Sequence, residues 1–382
     1  MINNPNFKPI AQAFVIAILL FTATRSTFAQ VPRDKVHIGL IYPISTHGVY
    51  ATSDTNYFSL NLIAGLSAEE KGLALAGVSN VVKNNTNGFT IAGFSNHIGN
   101  SANGFTIAGF INTYKAAQGF QIGGFANIAS ANIKGAQFAG FINKAAEVNG
   151  AQFGGFTNLA KNVKGWQFAG FSNTAKAVTG AQVAGFINTA TVVNGSQFAG
   201  FINIAKKVKG VQAAGFINIA DSSDHPIGII NLIKNGEKSI GLTFDETQTM
   251  LLSFRSGGRV LYGIIGGGYN FKNKDEVYAF EAGLGAHINI NRTFRINTEL
   301  SHQILESFKK GEYYKSSLRI LPAIKLLPNL EVFGGPVANF VNTDTAEGKA
   351  LQSKYIWKRQ DKYDDDFHGF YVGYTGGMHF IF

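Results

Sequence analysis

The middle of the chain repeats one pattern of small, aromatic and amide side chains. A unit of the form Gly-x-Gln-x-Ala-Gly-Phe-x-Asn-x-Ala begins at Gly135 and recurs every fifteen residues up to Gly210. Looser copies precede it from Gly72 onward. A fixed period this short predicts a solenoid, because such a unit cannot bury its own apolar face and must stack on its neighbours.

The identities within the repeat predict parallel coils. In a parallel stack each residue lies over its equivalent in the next coil, so side-chain amides can hydrogen-bond along the stack. An antiparallel meander with one strand per unit would not align like residues. We therefore expect an all-β chain with a parallel β-solenoid of 15- to 16-residue coils. The recurring asparagines are Asn80, Asn96, Asn112, Asn127, Asn143, Asn158, Asn173, Asn188, Asn203 and Asn218.

The alternation of side chains predicts which residues face the inside of each coil. Glycines such as Gly150 are expected at tight corners with positive φ. Small residues such as Ala160 would let the coil close around a stacked internal column of phenylalanines. That predicted column is Phe94, Phe110, Phe125, Phe141, Phe156, Phe171, Phe186, Phe201 and Phe216. The predicted outward residues are Phe138, Phe153, Phe168 and Phe198 with Ile142, Ile187, Ile202 and Ile217. This outward apolar stripe would be buried at coil corners or covered by another segment, a partner or lipid.

The last 140 or so residues change to long strands in which apolar and polar residues alternate. Strands of about ten residues, apolar outside and polar inside, are typical of outer-membrane barrels. We therefore predict a C-terminal antiparallel barrel of about eight strands. The candidate strands are 238–244, 249–254, 259–271, 277–290, 294–305, 313–324, 330–341 and 367–382.

The final strand and the charged positions distinguish this barrel from a soluble β-sandwich, which is the alternative. The last strand ends on Phe382, and so resembles bacterial outer-membrane proteins whose C-terminal strand ends in an aromatic residue. The polar face carries Glu281, Arg295, Glu299, Arg319 and Lys325. A narrow barrel can pair these charges internally, whereas a sandwich would leave them in water.

The N-terminus predicts export. Lys8 precedes an apolar run at 13–21, and Thr27-Phe28-Ala29 has the form of a signal-peptide cleavage site. The run is too short for a membrane-spanning helix of ~20 residues. We expect a protein of the outer membrane or cell surface. The predicted division is a signal peptide at 1–29, an N-terminal cap at 36–66, solenoid repeats at 67–235 and the barrel at 236–382.

The repeats resemble a known family. Together with the segments 42–48 (Tyr-Pro-Ile-Ser-Thr-His-Gly) and 58–65 (Phe-Ser-Leu-Asn-Leu-Ile-Ala-Gly), they are similar to the surface repeat-containing proteins of spirochaetes and Bacteroidetes. The resemblance covers roughly 36–235, and this chain has Phe where those proteins usually have Leu or Ile. It implies an exported, surface-associated protein of poorly defined activity, and it transfers no catalytic residues.

Positive charge is concentrated in the repeats. The chain has a net charge of +10. Residues 104–220 contain nine lysines and one acidic residue, Glu147. The simpler interpretation is a solvated edge that keeps chains apart. The alternative is attraction to lipopolysaccharide, acidic glycans or a host or neighbouring cell surface. Nucleic acid is not expected for an exported chain. The candidate residues are Lys134, Lys144, Lys161, Lys164, Lys176, Lys206, Lys207 and Lys209.

Catalytic patterns are absent from the sequence. The chain has no cysteine, which excludes disulfides and thiol chemistry. The glycine-rich segment 263–268 lies in a strand pattern with no following helix, so it does not predict a phosphate loop. The acidic run 364–366 beside His368 reads as a solvated loop rather than a cation site. We expect no enzyme, no cofactor and no metal.

Three functional interpretations follow from these patterns. The preferred one is a structural or interaction protein, with a solenoid held by a small barrel for adhesion or envelope interaction. The alternative is a porin or transport barrel, in which the repeats are themselves membrane strands. A secreted hydrolase or ligand-binding enzyme would need a cleft of convergent titratable groups, which the sequence does not supply.

Overall fold

A computed structural model describes residues 35–308, 312–360 and 366–382. The predicted signal peptide at 1–29 lies outside the described residues, as do Asp364 and Asp365. The structure is a parallel β-solenoid of about 12 turns followed by a closed, eight-stranded antiparallel barrel with one extra strand. The predicted fold class is confirmed.

Most solenoid coils contribute one long strand and one short strand. Long strands pair in parallel with long strands, and short strands with short strands, so that Asn143 lies opposite Asn158 and Asn158 opposite Asn173. The strands are β1 Val36–Ile41, β2 Ile44–Ser45, β3 Thr55–Ser67, β4 Glu69–Ala76, β5 Ser79–Val82, β6 Thr86–Ala92, β7 Ser95–Ile98, β8 Ser101–Ala108, β9 Ile111–Tyr114, β10 Ala116–Gly123, β11 Ala126–Ala129, β12 Asn132–Ala139, β13 Ile142–Lys144, β14 Glu147–Gly154, β15 Thr157–Leu159, β16 Asn162–Ala169, β17 Ser172–Thr174, β18 Ala177–Ala184, β19 Ile187–Thr189, β20 Val192–Ala199, β21 Ile202–Ile204, β22 Lys207–Ala214, β23 Ile217–Ala220, β24 Ser222–Ile227 and β25 Ile230–Ile233.

Two ladders of amide side chains run through the buried interior. Asn158 Nδ2 donates to Asn173 Oδ1 at 2.9 Å and to the Phe168 carbonyl at 2.6 Å. Gln167 Nε2 donates to Gln152 Oε1 at 2.8 Å. The asparagine ladder donates toward the C-terminal coils and the glutamine ladder toward the N-terminal coils. The predicted asparagine ladder is therefore confirmed, and it satisfies amides that burial would otherwise destabilise.

The apolar interior beside these ladders is thin. Val148, Val163 and Val178 stack in one buried column, and Ala145 and Ala175 in another. The interior admits one ring among these small side chains, that of Tyr114, whose hydroxyl accepts a hydrogen bond from Gln137 Nε2 at 2.6 Å. The alanines are inside the coil, but they pack against aliphatic side chains and not around the predicted phenylalanines.

The predicted internal phenylalanine column is wrong. Phe156 is 40% exposed, and its ring stacks on Phe141 and Phe171 outside the coil at 4.8 Å between centroids. The cause is a corner at Gly155 and Phe156, which interrupts the strand alternation and turns the ring outward. The predicted outward residues, including Phe153 and Ile142, are half-buried on the outer surface, except Phe198, which is exposed.

The repeat glycines have positive φ, but they do not lie at corners. Gly150 has φ 139° inside the long strand β14. A Cβ at Gly150 would lie 2.0 Å from the carbonyl oxygen of Gly135 in the preceding coil. The positive φ is therefore as predicted, but the predicted corner position is wrong. Glycine is required here both for the positive φ and for the close approach of adjacent coils.

The ends of the solenoid are built differently. At the N-terminal end β1 pairs with β3 in parallel, and β2 with a 3₁₀ helix at Gly48–Ser53 follows β1. At the C-terminal end the last asparagine rung, from Asn218 to Asn231, spans thirteen residues. Asn231 then bonds to Ser256 in the barrel, its backbone nitrogen donating to Ser256 Oγ at 2.9 Å. The two domains are thus joined by a hydrogen-bonded contact.

The barrel closes through antiparallel pairing of its first and last strands, β26 and β34. Its eight strands begin close to the predicted positions and mostly extend one to three residues further. The short strand β33 pairs with β34 outside the closed barrel, and a short helix, α1 Ala346–Ala350, precedes it. The strands are β26 Lys238–Asp245, β27 Thr249–Gly257, β28 Leu261–Asn270, β29 Tyr278–Asn289, β30 Phe294–Glu306, β31 Tyr313–Leu327, β32 Leu330–Thr343, β33 Trp357–Gln360 and β34 Phe367–Ile381.

Deleting one complete repeat, residues 165–179, should leave a folded solenoid, because Asn158 then lies against Asn188 in the same register. Deleting only residues 165–171 shifts every later side chain and should misfold the stack. Circular dichroism and limited proteolysis of the full chain would compare the two. Equal loss of folded protein in both deletions would contradict parallel, in-register stacking.

Replacing Asn158 by Ala should destabilise the solenoid by about 1–3 kcal/mol, because the buried amides on either side lose a partner. Exposed Lys161 in the same coil provides the control, and Lys161→Ala should change stability by less than about 0.5 kcal/mol. Urea unfolding of both variants would measure the difference. Similar unfolding midpoints would show that the ladder contributes little.

Candidate functional site

The predicted lysines lie on the outside of the solenoid, and all eight are exposed. Most belong to one edge, where the chain leaves a short strand and enters the next long strand. We call this the basic edge. It consists of Lys134, Lys161, Lys164, Lys176, Lys206, Lys207 and Lys209, and Lys115 also lies in it although it was not among the candidates. Lys144 is separate, on a short strand.

The basic edge carries more lysines than carboxylates, which are Glu147 in the same groove and Asp221 in the coil after Lys206. Lys161 and Lys176 occupy equivalent positions in adjacent coils, joined by a 2.7 Å backbone hydrogen bond. None of the predicted lysines has a carboxylate within 4.0 Å among the described residues. Lys134 and Lys164 line an open groove of about 600 Å³ that also contains Asn149. This surface can attract polyanions, although it holds no buried charged group that would select a particular ligand.

A different edge of each coil is aromatic. Nine phenylalanines, from Phe94 to Phe216, stack there with centroids 4.8 to 5.1 Å apart. A second row, including Phe138, Phe153 and Phe168, runs beside it. We call these two rows the aromatic edge. Stacking within each row adds about 0.5–1.5 kcal/mol per pair to the apolar burial between coils.

An apolar groove runs along the second row of the aromatic edge. It has a volume of about 630 Å³, with Phe138, Phe153 and Phe168 along one wall and glycines on its floor. A Cβ at Gly155 would lie 2.0 Å from the Gly140 carbonyl oxygen, so glycine is required for the coils to approach. The alternation of side chains along the chain did not predict this groove. Its signal was the invariant glycine immediately before each corner phenylalanine.

A buried polar cluster lies at the N-terminal end of the solenoid. Burial, and then the charge of nearby His47, lowers the pKa of His37. Burial raises the pKa of Glu70, and hydrogen bonds that include two from Ser59 Oγ at 2.8 Å oppose this rise. Since Ser59 donates to an acid rather than to an imidazole, the cluster lacks a serine–histidine nucleophile. It packs the end of the stack.

The barrel interior is occupied by a network of ion pairs. Arg255 Nε lies 2.8 Å from Glu299 Oε1, and Arg319 bridges Glu299 and Glu281. Nearby, Arg295 pairs with Glu331. The predicted charged positions thus face inward and pair with one another, while alternate residues face outward.

Comparison with known proteins identifies no relative. No family model, no curated protein and no solved structure matches the chain. The resemblance to surface repeat-containing proteins therefore stays a prediction. Within the described ranges, no group of three or more metal-ligating acids and histidines could hold a metal ion. The described helices include none with the length and apolar character needed to cross a membrane.

Replacing Glu299 by Gln should destabilise the barrel by roughly 3 kcal/mol or more, because two buried arginines lose a shared carboxylate. Its neighbour Leu300 faces outward and is 62% exposed, which makes Leu300→Ala the matched control. Urea unfolding in detergent micelles, followed by the mobility of unheated samples in gels, would report barrel stability. A loss at Leu300 equal to that at Glu299 would contradict an interior held by ion pairs.

Proposed function

We propose that this protein is a non-enzymatic outer-membrane protein, in which the barrel is an anchor in lipid and the solenoid carries the interaction surfaces. The supporting observation is the reversed polarity of the barrel. Its charged side chains are buried inside, and its large apolar side chains are exposed outside. The outward residues include Ile240, Leu242, Phe244, Leu252, Phe280, Leu284, Leu300, Leu318, Ile320, Ile324, Val332, Val372, Met378 and Phe380.

Water is a poor solvent for this outer surface. Soluble monomers seldom expose contiguous apolar patches beyond a few hundred Å², whereas the outward residues are distributed over the barrel strands. Aromatic side chains at the rim with the longer connections, including Tyr269, Tyr278, Phe340 and Trp357, suit the boundary between lipid and water. Both features favour a membrane barrel over the soluble sandwich.

The filled interior favours anchoring over transport. An eight-stranded barrel is just wide enough for side chains to fill it, and here Arg255, Glu299 and Arg319 are fully buried across its centre. The repeats pair in parallel outside the barrel and contribute no barrel strands. The transport alternative therefore lacks the continuous barrel on which it was based.

The connections between barrel strands suggest which side the solenoid faces. On the rim that adjoins the solenoid, the strands are joined by two to four residues, at 258–260, 290–293 and 328–329. On the other rim, connections include 271–277, 307–312 and 344–366. Outer-membrane barrels have short periplasmic turns and longer external loops. We infer that the solenoid projects into the periplasm.

This orientation favours envelope interaction over adhesion. The basic edge would then meet anionic components of the periplasm, such as acidic glycans, by long-range attraction rather than through a shaped pocket. Lipopolysaccharide lies in the outer leaflet, so it would be a partner only of a solenoid outside the cell. Adhesion to a host or neighbouring cell requires the solenoid to lie outside the cell, so adhesion is the second candidate function.

Purified full-length protein should form no large, stable pores in planar lipid bilayers, because charged side chains fill the barrel. Single-channel recording, with a known porin as a positive control for insertion, would measure this. Stable conductance at the level of the porin would contradict the anchor.

Cysteine labelling of intact cells should report the orientation, since the chain has no cysteine of its own. Thr179→Cys places an exposed thiol on the solenoid, and Lys354→Cys places one on the long connection. A membrane-impermeant maleimide should label Lys354→Cys in intact cells and Thr179→Cys only after the outer membrane is permeabilised. Labelling of Thr179→Cys in intact cells would place the solenoid outside.

A further inference from the structure

The aromatic edge runs directly into the outer wall of the barrel. Its two rows end at Ile227 and Ile229 in the last coil, and these residues line one pocket with Ala282 and Leu284 of β29. Leu284 belongs to the outward, apolar face of the barrel. The solenoid edge and the outer wall of the barrel are therefore one continuous apolar surface.

The junction between them is a close backbone contact. Gly263 of β28 pairs with Leu284 and so shares its outward face. A Cβ at Gly263 would lie 2.1 Å from the carbonyl oxygens of Gly228 and Ile229. No side chain fits between the coil and the barrel at this point, so the last coil packs directly against the barrel wall.

We propose that the aromatic edge is a lipid-docking surface, on which the solenoid lies along the membrane with its phenylalanines in the adjoining leaflet. This inference rests on the proposed function, because it extends the lipid contact of the barrel wall to the solenoid. The phenylalanine row is about 39 Å long, which is the sum of its eight centroid spacings. A row of this length fits within one leaflet only if the rod lies along the membrane surface.

The charge distribution agrees with a rod in this position. In a single coil Phe156 marks the aromatic corner before the short strand Thr157–Leu159, and Lys161 lies at the next corner, after that strand. The rod is therefore amphipathic along its length, and an amphipathic element of this kind lies in the membrane interface with its apolar side in the acyl boundary. The lysines then remain in water, free to meet anionic partners.

A second copy of the chain is the competing occupant of the aromatic edge. Two chains that shared this edge would have to replace lipid at the junction, since the edge continues onto the barrel wall. Lipid covers both parts of the surface without any such rearrangement. We therefore assign the edge to lipid and treat dimerisation as an outcome of the test.

Tryptophan quenching by lipid would test the proposal. The chain has two tryptophans, Trp166 and Trp357, and replacing both by Phe gives a silent background. Three variants each add one reporter in this background: Phe156→Trp on the aromatic edge, Lys161→Trp at the next corner of the same coil, and Leu300→Trp on the barrel wall. The full chain would be reconstituted in phosphatidylcholine vesicles with acyl chains brominated on a fraction of the lipid.

We expect brominated lipid to quench Phe156→Trp nearly as strongly as Leu300→Trp, and several times more than Lys161→Trp. Equal, weak quenching of Phe156→Trp and Lys161→Trp with strong quenching of Leu300→Trp would overturn the lipid-docking surface and leave the anchor intact. Absence of quenching at Leu300→Trp would overturn both. Protection of Phe156→Trp from aqueous acrylamide without quenching by brominated lipid would assign the edge to another protein surface, such as a second copy, and overturn the proposal.

Discussion

The structure depends on like side chains lying in register from one coil to the next. Each asparagine amide joins the next coil through a side-chain hydrogen bond and a carbonyl, as Asn158 does with Asn173 and Phe168. A slip of one residue would place an aliphatic side chain over an amide and leave buried polar groups unpaired, at a cost of about 1–3 kcal/mol each. With ten rungs, the register is strongly determined, and the outer rows of rings and lysines follow from it.

The same register separates chemistry onto different edges of the rod. Because every coil repeats its corners at the same place, Phe156 extends an unbroken aromatic row, and Lys161 belongs to a basic edge to which most, but not all, of the coils contribute lysines. In the barrel the charged side chains lie inside and the apolar side chains lie outside. Where the two domains meet, the aromatic row joins the apolar outside of the barrel at Leu284. Two unlike folds thereby share one apolar surface.

Much of this fold could be predicted from the sequence because both halves have strict periods. The fifteen-residue repeat indicated parallel coils, and the two-residue alternation indicated all eight barrel strands to within a few residues. The prediction failed at coil corners. Alternation placed Phe156 inside because Gln152 and Asn158 are inside, but it cannot show that Gly155 begins a corner. The apolar groove was not predicted for the same reason, since it lies beside a corner that the alternation does not reveal.

The junction could not be predicted, because the contact of Gly263 with Ile229 joins segments that share no sequence pattern. All eight lysines lie outside as predicted, but only seven share one edge, because Lys144 lies on a short strand and not near the corner where the next long strand begins. In both cases the sequence specifies local geometry, and the functional surface arises from stacking.

Distances between spin labels in one row of the solenoid would test parallel stacking most directly. One outward position of the coil is occupied by Gln118 and, four, five and six coils later, by Thr179, Asn194 and Lys209. With one label fixed at Gln118→Cys, the backbone spacing of about 4.8 Å per coil predicts separations of roughly 19, 24 and 29 Å to the other three positions. A steady increase of this size is the result expected. Distances that rise and then fall along the row would mean that the repeats circle a pore, and would contradict the solenoid.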